Sequence, residues 1–203
     1  MSGPLLSPEE WAVLQDRRFM PLKASVWHKL EASMGLLRDA LAAHLTESQA
    51  PDTWKRGSGK IQRGENYHTY AYRVLDMPAV AAPSGLLLFR TVLLWGHPIG
   101  WHLILGGTEL ERYRAGLPEA CRRLDARYLL SRQPDPWRWE PDPDGQEPFP
   151  GACEALTQSL PFVKITRYEP LDAYVQLPEL GLSVWQDFEA VLHAAGSGEP
   201  GLP

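Results

Sequence analysis

The run Leu86-Leu87-Leu88-Phe89-Arg90-Thr91-Val92-Leu93-Leu94 constrains this chain more than any other stretch. It is broken by Arg90 and Thr91 and is too short to cross a bilayer. Successive side chains on a strand point to opposite sides, and here both sides are largely apolar. Such a strand belongs in the middle of a sheet that is covered on both faces. Trp95 to Gly100 reads as a turn, and Trp101 to Leu105 as the returning strand of a hairpin, stopped by Gly106-Gly107.

A sheet of this kind needs amphipathic helices. Leu22, Val26, Leu30, Met34, Leu37 and Leu41 recur at spacings of three and four, so they share one helical stripe. Lys23, Lys29, Glu31, Arg38 and Asp39 fall mainly outside it. That helix, opened by Pro21, is expected to lie on the sheet or pair with a neighbour. Its stripe spans too few heptads to favour a coiled-coil dimer. Ser7-Pro8-Glu9-Glu10 predicts an earlier helix, with a capping hydroxyl, a proline at the first position and a glutamate able to close a capping box.

Further along, Thr46 to Gly59 reads as a loop, and Tyr70 to Leu75 as a strand ended by Asp76-Met77-Pro78. Thr108 is expected to cap a helix reaching about Leu130, which Gly116 and Pro118 can split. Ser131 to Gly151 carries Pro134, Pro136, Pro141, Pro143, Pro148 and Pro150. This density opposes helix and central strand, so a surface loop pinned by Trp137 and Trp139 is expected. A short helix over Ala152 to Leu160, strands over Phe162 to Tyr168 and Ala173 to Leu177, and a closing helix opened at Ser183 complete the reading. On that helix Trp185, Phe188, Val191 and Leu192 should face inward. The fold class is therefore α+β. Residues 1–195 form one domain, a mainly antiparallel sheet of about four to six strands with helices chiefly on one face, and 196–203 form a mobile tail.

Charge narrows the partners. A net charge of −5 argues against broad nucleic-acid binding, which needs an excess of cations on one face. The basic run Arg122, Arg123, Arg127 and Arg132 is diluted by Glu119 and Asp125, as on a solvated helix face. No membrane partner is expected. Neither a secretory leader nor a spanning segment is read, and Cys121 and Cys153 fit unpaired thiols in a reducing compartment, so the expected location is the cytoplasm. The oligomeric state is open.

Chemistry-bearing side chains concentrate in Lys60-Ile61-Gln62-Arg63-Gly64-Glu65-Asn66-Tyr67, followed by Tyr70, Tyr72, Val74, Leu75, Asp76 and Pro78. This run resembles a bacterial protein family with a Lys-Ile-x-Arg-Gly-Glu-Asn-Tyr motif and a later Val-Leu-Asp-x-Pro, and the likeness extends through Phe89-Arg90-Thr91 to Trp95-Gly96. The resemblance covers the central quarter of the chain. It implies a shared fold and supplies no activity.

Two readings of the string stand side by side. In the first, Gly64 supports a tight turn that aims Arg63 and Glu65 apart, and an ion pair with Arg90 fastens it. A cation on so apolar a strand needs a carboxylate, and Glu65 and Asp76 are the candidates. In the second, Lys60, Arg63, Glu65, Asn66, Tyr67, Tyr72, Asp76 and Arg90 line a polar pocket for a small anionic ligand or a protein partner. There Lys60, Arg63 and Arg90 neutralise the ligand, while Asn66, Tyr67 and Tyr72 orient it.

No cofactor is expected, since phosphate-loop and dinucleotide fingerprints are missing. No resident metal is expected either. His97 and His102 could meet near the hairpin, with His68 or Asp76 completing a set, but lone histidines more often serve as hydrogen-bonding groups. The sequence thus favours a non-enzymatic binding or interaction module. A small hydrolase or transferase at the same cleft, with Glu65 and Asp76 as acid and base, is the alternative.

Overall fold

The computed structural model describes residues 5–48, 50–55, 59–149, 151–153 and 160–196. Seven strands form one antiparallel sheet in the order β1-β2-β3-β4-β7-β5-β6. These are β1 (Ile61–Tyr67), β2 (Tyr70–Ala82), β3 (Gly85–Leu94), β4 (Ile99–Gly106), β5 (Tyr128–Ser131), β6 (Gln146–Pro148) and β7 (Phe162–Glu169). Six α-helices accompany them: α1 (Pro8–Gln15), α2 (Phe19–Glu47), α3 (Asp52–Lys55), α4 (Gly107–Arg114), α5 (Leu117–Ala120) and α6 (Leu177–Gly196). The class is α+β. No helix is long and apolar enough to cross a membrane among the described residues.

The doubly apolar strand lies where its pattern requires. β3 sits between β2 and β4, and almost every one of its side chains is buried. One face carries Leu87, Phe89 and Leu93, continuous with Trp101, Leu103 and Leu105 of β4 and with Val163 and Ile165 of β7. Met34, Leu37, Leu41 and Leu45 of α2 close over this face together with Val184, Trp185, Phe188, Val191 and Leu192 of α6. Among the described residues no helix packs on the other face. The proline-rich segment between β5 and β6 covers it with Trp137 and Trp139, which sit over Arg90 and beside Tyr67 and Tyr72.

Several boundaries differ from the sequence expectation, each for a local reason. The Lys60–Tyr67 string is an edge strand: Ile61, Gln62, Arg63 and Gly64 pair in register with Leu75, Val74, Arg73 and Tyr72. The turn comes later, at His68 and Thr69, both with positive φ. Gly64 is needed for space rather than for an unusual backbone, because a Cβ there would fall 2.2 Å from the Tyr72 ring. β2 does not stop at Asp76-Met77-Pro78. The bond before Pro78 is cis, pairing shifts between Asp76 and Ala79, and the strand resumes to Ala82.

α2 starts two residues before Pro21, which occupies its first turn, where a missing N–H is tolerated. Leu22 and Val26 are exposed, and Trp27 is the first of its side chains to enter the core. The loop over 46–59 contains the short α3, anchored by the buried Trp54. The helix begun at Gly107 breaks after Arg114, as Gly116 and Pro118 allow, resumes as α5 and a 3-10 turn to Arg123, and Tyr128–Ser131 is a strand instead. Gln146–Pro148 interrupts the proline loop as a strand because it finds β5 as a partner. Leu171–Gln176 is a 3-10 helix where a strand over Ala173 to Leu177 was expected. α6 starts at Leu177, so Ser183 lies inside it. The expected helix over Ala152 to Leu160 and the tail beyond Gly196 lie mostly outside the described residues.

Candidate functional site

The sheet sorts the polar residues of its first strands onto two opposite faces. On β1, Arg63 and Glu65 turn toward α2. On β2, Arg73 does the same, while Tyr72, Val74 and Asp76 turn away. Arg90 of β3 also turns away, toward the tryptophan segment. Arg63 and Arg90 therefore do not share a recess, and the single pocket expected from the sequence separates into two clusters.

The first cluster lies in an open groove of roughly 510 Å³ between α2 and β1. Met20, Lys23, Ala24, Trp27, His28 and Glu31 line it from the helix, and Arg63, Glu65 and Arg73 from the sheet. Arg73 is nearly buried, with its guanidinium 4.2 Å from the Trp27 ring centre and its Nε donating to Glu31. Glu31 also accepts from Arg63 Nη2 at 2.7 Å. Lys23 Nζ donates to Glu65 at 2.6 Å, which holds the Glu65 carboxyl below its ordinary pKa. Three cations thus meet two carboxylates. The Arg63 side chain is 67% exposed and makes no other hydrogen bond among the described residues. Four of its five donors thus have no hydrogen-bond partner among the described residues.

The second cluster is a polar row running straight across four strands. Asp76 pairs with Arg90, Arg90 with His102, and His102 with Thr166, each directly opposite the next. Asp76 accepts two hydrogen bonds from Arg90, from Nε at 2.7 Å and Nη2 at 2.8 Å. Gln62 Nε2 adds a third at 3.3 Å. The Arg90 guanidinium lies 4.9 Å from the Trp137 ring and 5.5 Å from Trp139, within cation–π range. His102 Nδ1 lies 3.0 Å from the Thr166 hydroxyl, and both residues are fully buried. Its Nε2 has no hydrogen-bond partner among the described residues. Burial, with Lys164 and Arg90 nearby, holds the imidazole neutral by pushing its pKa well below the ordinary value.

Lys164, two residues before Thr166 on the same side of β7, is 1% exposed and donates to the Arg138 carbonyl. Burial, then repulsion from Arg90, lowers its pKa to about 8. Tyr168 donates to the Trp139 carbonyl at 2.9 Å, and Tyr67 donates to Glu140 at 2.8 Å while accepting from the Trp139 N–H at 3.0 Å. The Tyr67 and Trp139 rings stack at 4.0 Å. Desolvation raises the pKa of both phenols. These contacts clamp the segment onto the sheet.

The expected site residues divide accordingly. Arg63 and Glu65 belong to the groove; Tyr67, Tyr72, Asp76 and Arg90 belong to the covered face. Lys60 and Asn66 are exposed at the ends of the edge strand and join neither network. Asp76, and not Glu65, is the partner of Arg90. His68 and His97 pack against Tyr67 and Tyr70, and among the described residues no group of three potential ligands is placed to hold a metal.

Sequence reasoning passed over Lys23, Trp27, Glu31 and Arg73 in the groove, and Lys164, Thr166 and Tyr168 under the segment. A signal for the last three was present: in Val163-Lys164-Ile165-Thr166-Arg167-Tyr168 they alternate with residues of the core face. No described protein family, no curated protein and no solved structure matches this chain.

Proposed function

We propose that this chain is a non-enzymatic binding module that takes a small anionic ligand into the groove between α2 and β1. The observation that carries the reading is Arg63, held at one corner by Glu31 and otherwise turned to solvent beside Lys23. A guanidinium positioned in this way can grip a carboxylate or phosphate through two parallel hydrogen bonds. The groove's excess of one positive charge leaves a counter-charge for the ligand to supply. Met20, Ala24 and Trp27 offer an apolar wall for the rest of the molecule.

A hydrolase or transferase acting in the same cleft is the second reading. Binding without chemistry is favoured because the buried bases, His102 and Lys164, lie on the opposite face beneath the tryptophan segment. Of the two carboxylates within the groove, Glu31 is held by Arg63 and Arg73, and Glu65 is ion-paired and made less basic by Lys23. The proposed location is the cytoplasm, where Cys121 and Cys153, both buried and unpaired, would stay reduced.

The test is a thermal-shift screen of carboxylate- and phosphate-bearing metabolites against the wild type and Arg63→Ala. A ligand that raises the wild-type melting temperature and leaves the variant unmoved supports the groove. Equal shifts in both proteins, or no shift with any anion, count against it.

A further inference from the structure

α1 contributes nothing to the core. None of its residues is buried, although it carries Trp11, Val13 and Leu14, which are 52%, 53% and 67% exposed. Leu6 before it and Met20 after it are also exposed. More than half of the exposed large apolar side chains among the described residues fall between Leu5 and Val26. An isolated helix of two turns is marginal in water, and clustered exposed apolar side chains mark a contact surface.

Charge indicates what covers it. Glu9 and Glu10 stand in the first turn of α1, and Arg17 and Arg18 follow its last turn. Arg17 is exposed and makes no ion pair among the described residues, while Arg18 touches only Asp16, at 3.2 Å. The segment is therefore acidic at one end, apolar in the middle and basic at the other. A surface with this polarity is complementary to itself when turned end for end.

We infer that the chain pairs with a second copy through α1, the two helices antiparallel about a twofold axis near Val13. Glu9 of each copy then meets Arg17 of the other, and Val13 and Leu14, which line one side of the helix with Leu6 and Glu9, fill the centre. A closed twofold contact uses the same patch on both partners, as this arrangement requires. The acidic first turn also disfavours an anionic lipid surface as the cover. This inference is independent of the groove ligand, because Arg63 has no part in it.

Sedimentation velocity of the full chain over a concentration series tests it. A dimer is expected for the wild type, and a monomer with an unchanged far-ultraviolet circular dichroism spectrum for Val13→Asp and Leu14→Glu, since neither side chain supports the core. Glu9→Arg and Arg17→Glu should each weaken pairing about tenfold or more, and an equimolar mixture of the two should recover a mixed dimer. A wild type that stays monomeric at all concentrations overturns the inference, as does a dimer that survives Val13→Asp. Failure of the mixture to recover a dimer overturns the antiparallel arrangement.

Discussion

Asp76 and Arg90 face each other across β2 and β3 and are joined by two hydrogen bonds, of 2.7 and 2.8 Å, on a side of the sheet where Arg90 has almost no solvent. The pair is stable only as a pair. Asp76→Asn should cost about 3–5 kcal/mol in chemical denaturation, because it leaves a guanidinium buried without its counter-charge. The double variant Asp76→Asn with Arg90→Leu should recover much of that loss. Strictly additive losses would show that the two residues act separately.

Lys164 should make stability depend on pH. Its folded pKa, about 8, lies below the ordinary 10.5, so between those values the unfolded chain binds the extra proton. The sign follows: stability rises with pH through that window, and below about pH 8 the full penalty of the buried ammonium is present. Between pH 8 and 10 the lysine therefore raises stability, while the buried thiols Cys121 and Cys153, whose pKa values burial raises, lower it as the unfolded thiols ionise. Lys164→Met should remove the lysine contribution alone, about 1–3 kcal/mol in all. Guanidinium chloride titrations of both proteins at stepped pH measure it as the difference between their slopes, and identical pH profiles would assign the lysine no part.

Trp139 joins the covering segment to the sheet by stacking on Tyr67, meeting Tyr72 edge-on and presenting its carbonyl to Tyr168. Trp139→Ala should destabilise the protein by about 3 kcal/mol. It should also raise amide exchange in the segment more than in α6. Trypsin cleavage after Arg132 and Arg138, the arginines of this segment, should quicken in parallel.

Gly64→Ala isolates the demand for space on the edge strand. The added methyl would collide with the Tyr72 ring, so a loss of about 1–3 kcal/mol is expected. Pairing the change with Tyr72→Ser should lessen the penalty. A neutral Gly64→Ala would show that the ring can move aside.

The sequence made the core legible where one physical cause dominated. The β3–β4 hairpin, the inward face of α6 and the middle of α2 follow from apolar spacing alone, and Met34, Leu37 and Leu41 are buried as their stripe requires. The same stripe misled at Leu22 and Val26, which are apolar yet exposed. The Lys60–Tyr67 string looked like a turn because an edge strand between a charged groove and solvent lacks alternating apolar residues. Nor could spacing reveal that Arg63 and Arg90 part company: facing is decided by register, which sets Arg63 in line with Arg73 and Leu93, three residues and thus one face away from Arg90. Glu31, which binds two arginines of the groove, lies thirty-two residues from one and forty-two from the other.

The polar row Asp76–Arg90–His102–Thr166 draws three members from consecutive strands and the fourth from a strand sixty-four residues further on, and it exists only when each pairing is correct. A slip of one position at any of the three junctions would drive a charge or an imidazole into the aliphatic side, against Phe89 and Leu103. Misaligned intermediates are thereby penalised individually, in a sheet whose leucine-rich centre would otherwise accept several alignments almost equally well. The row works as a proofreading device for assembly, whatever else the protein does.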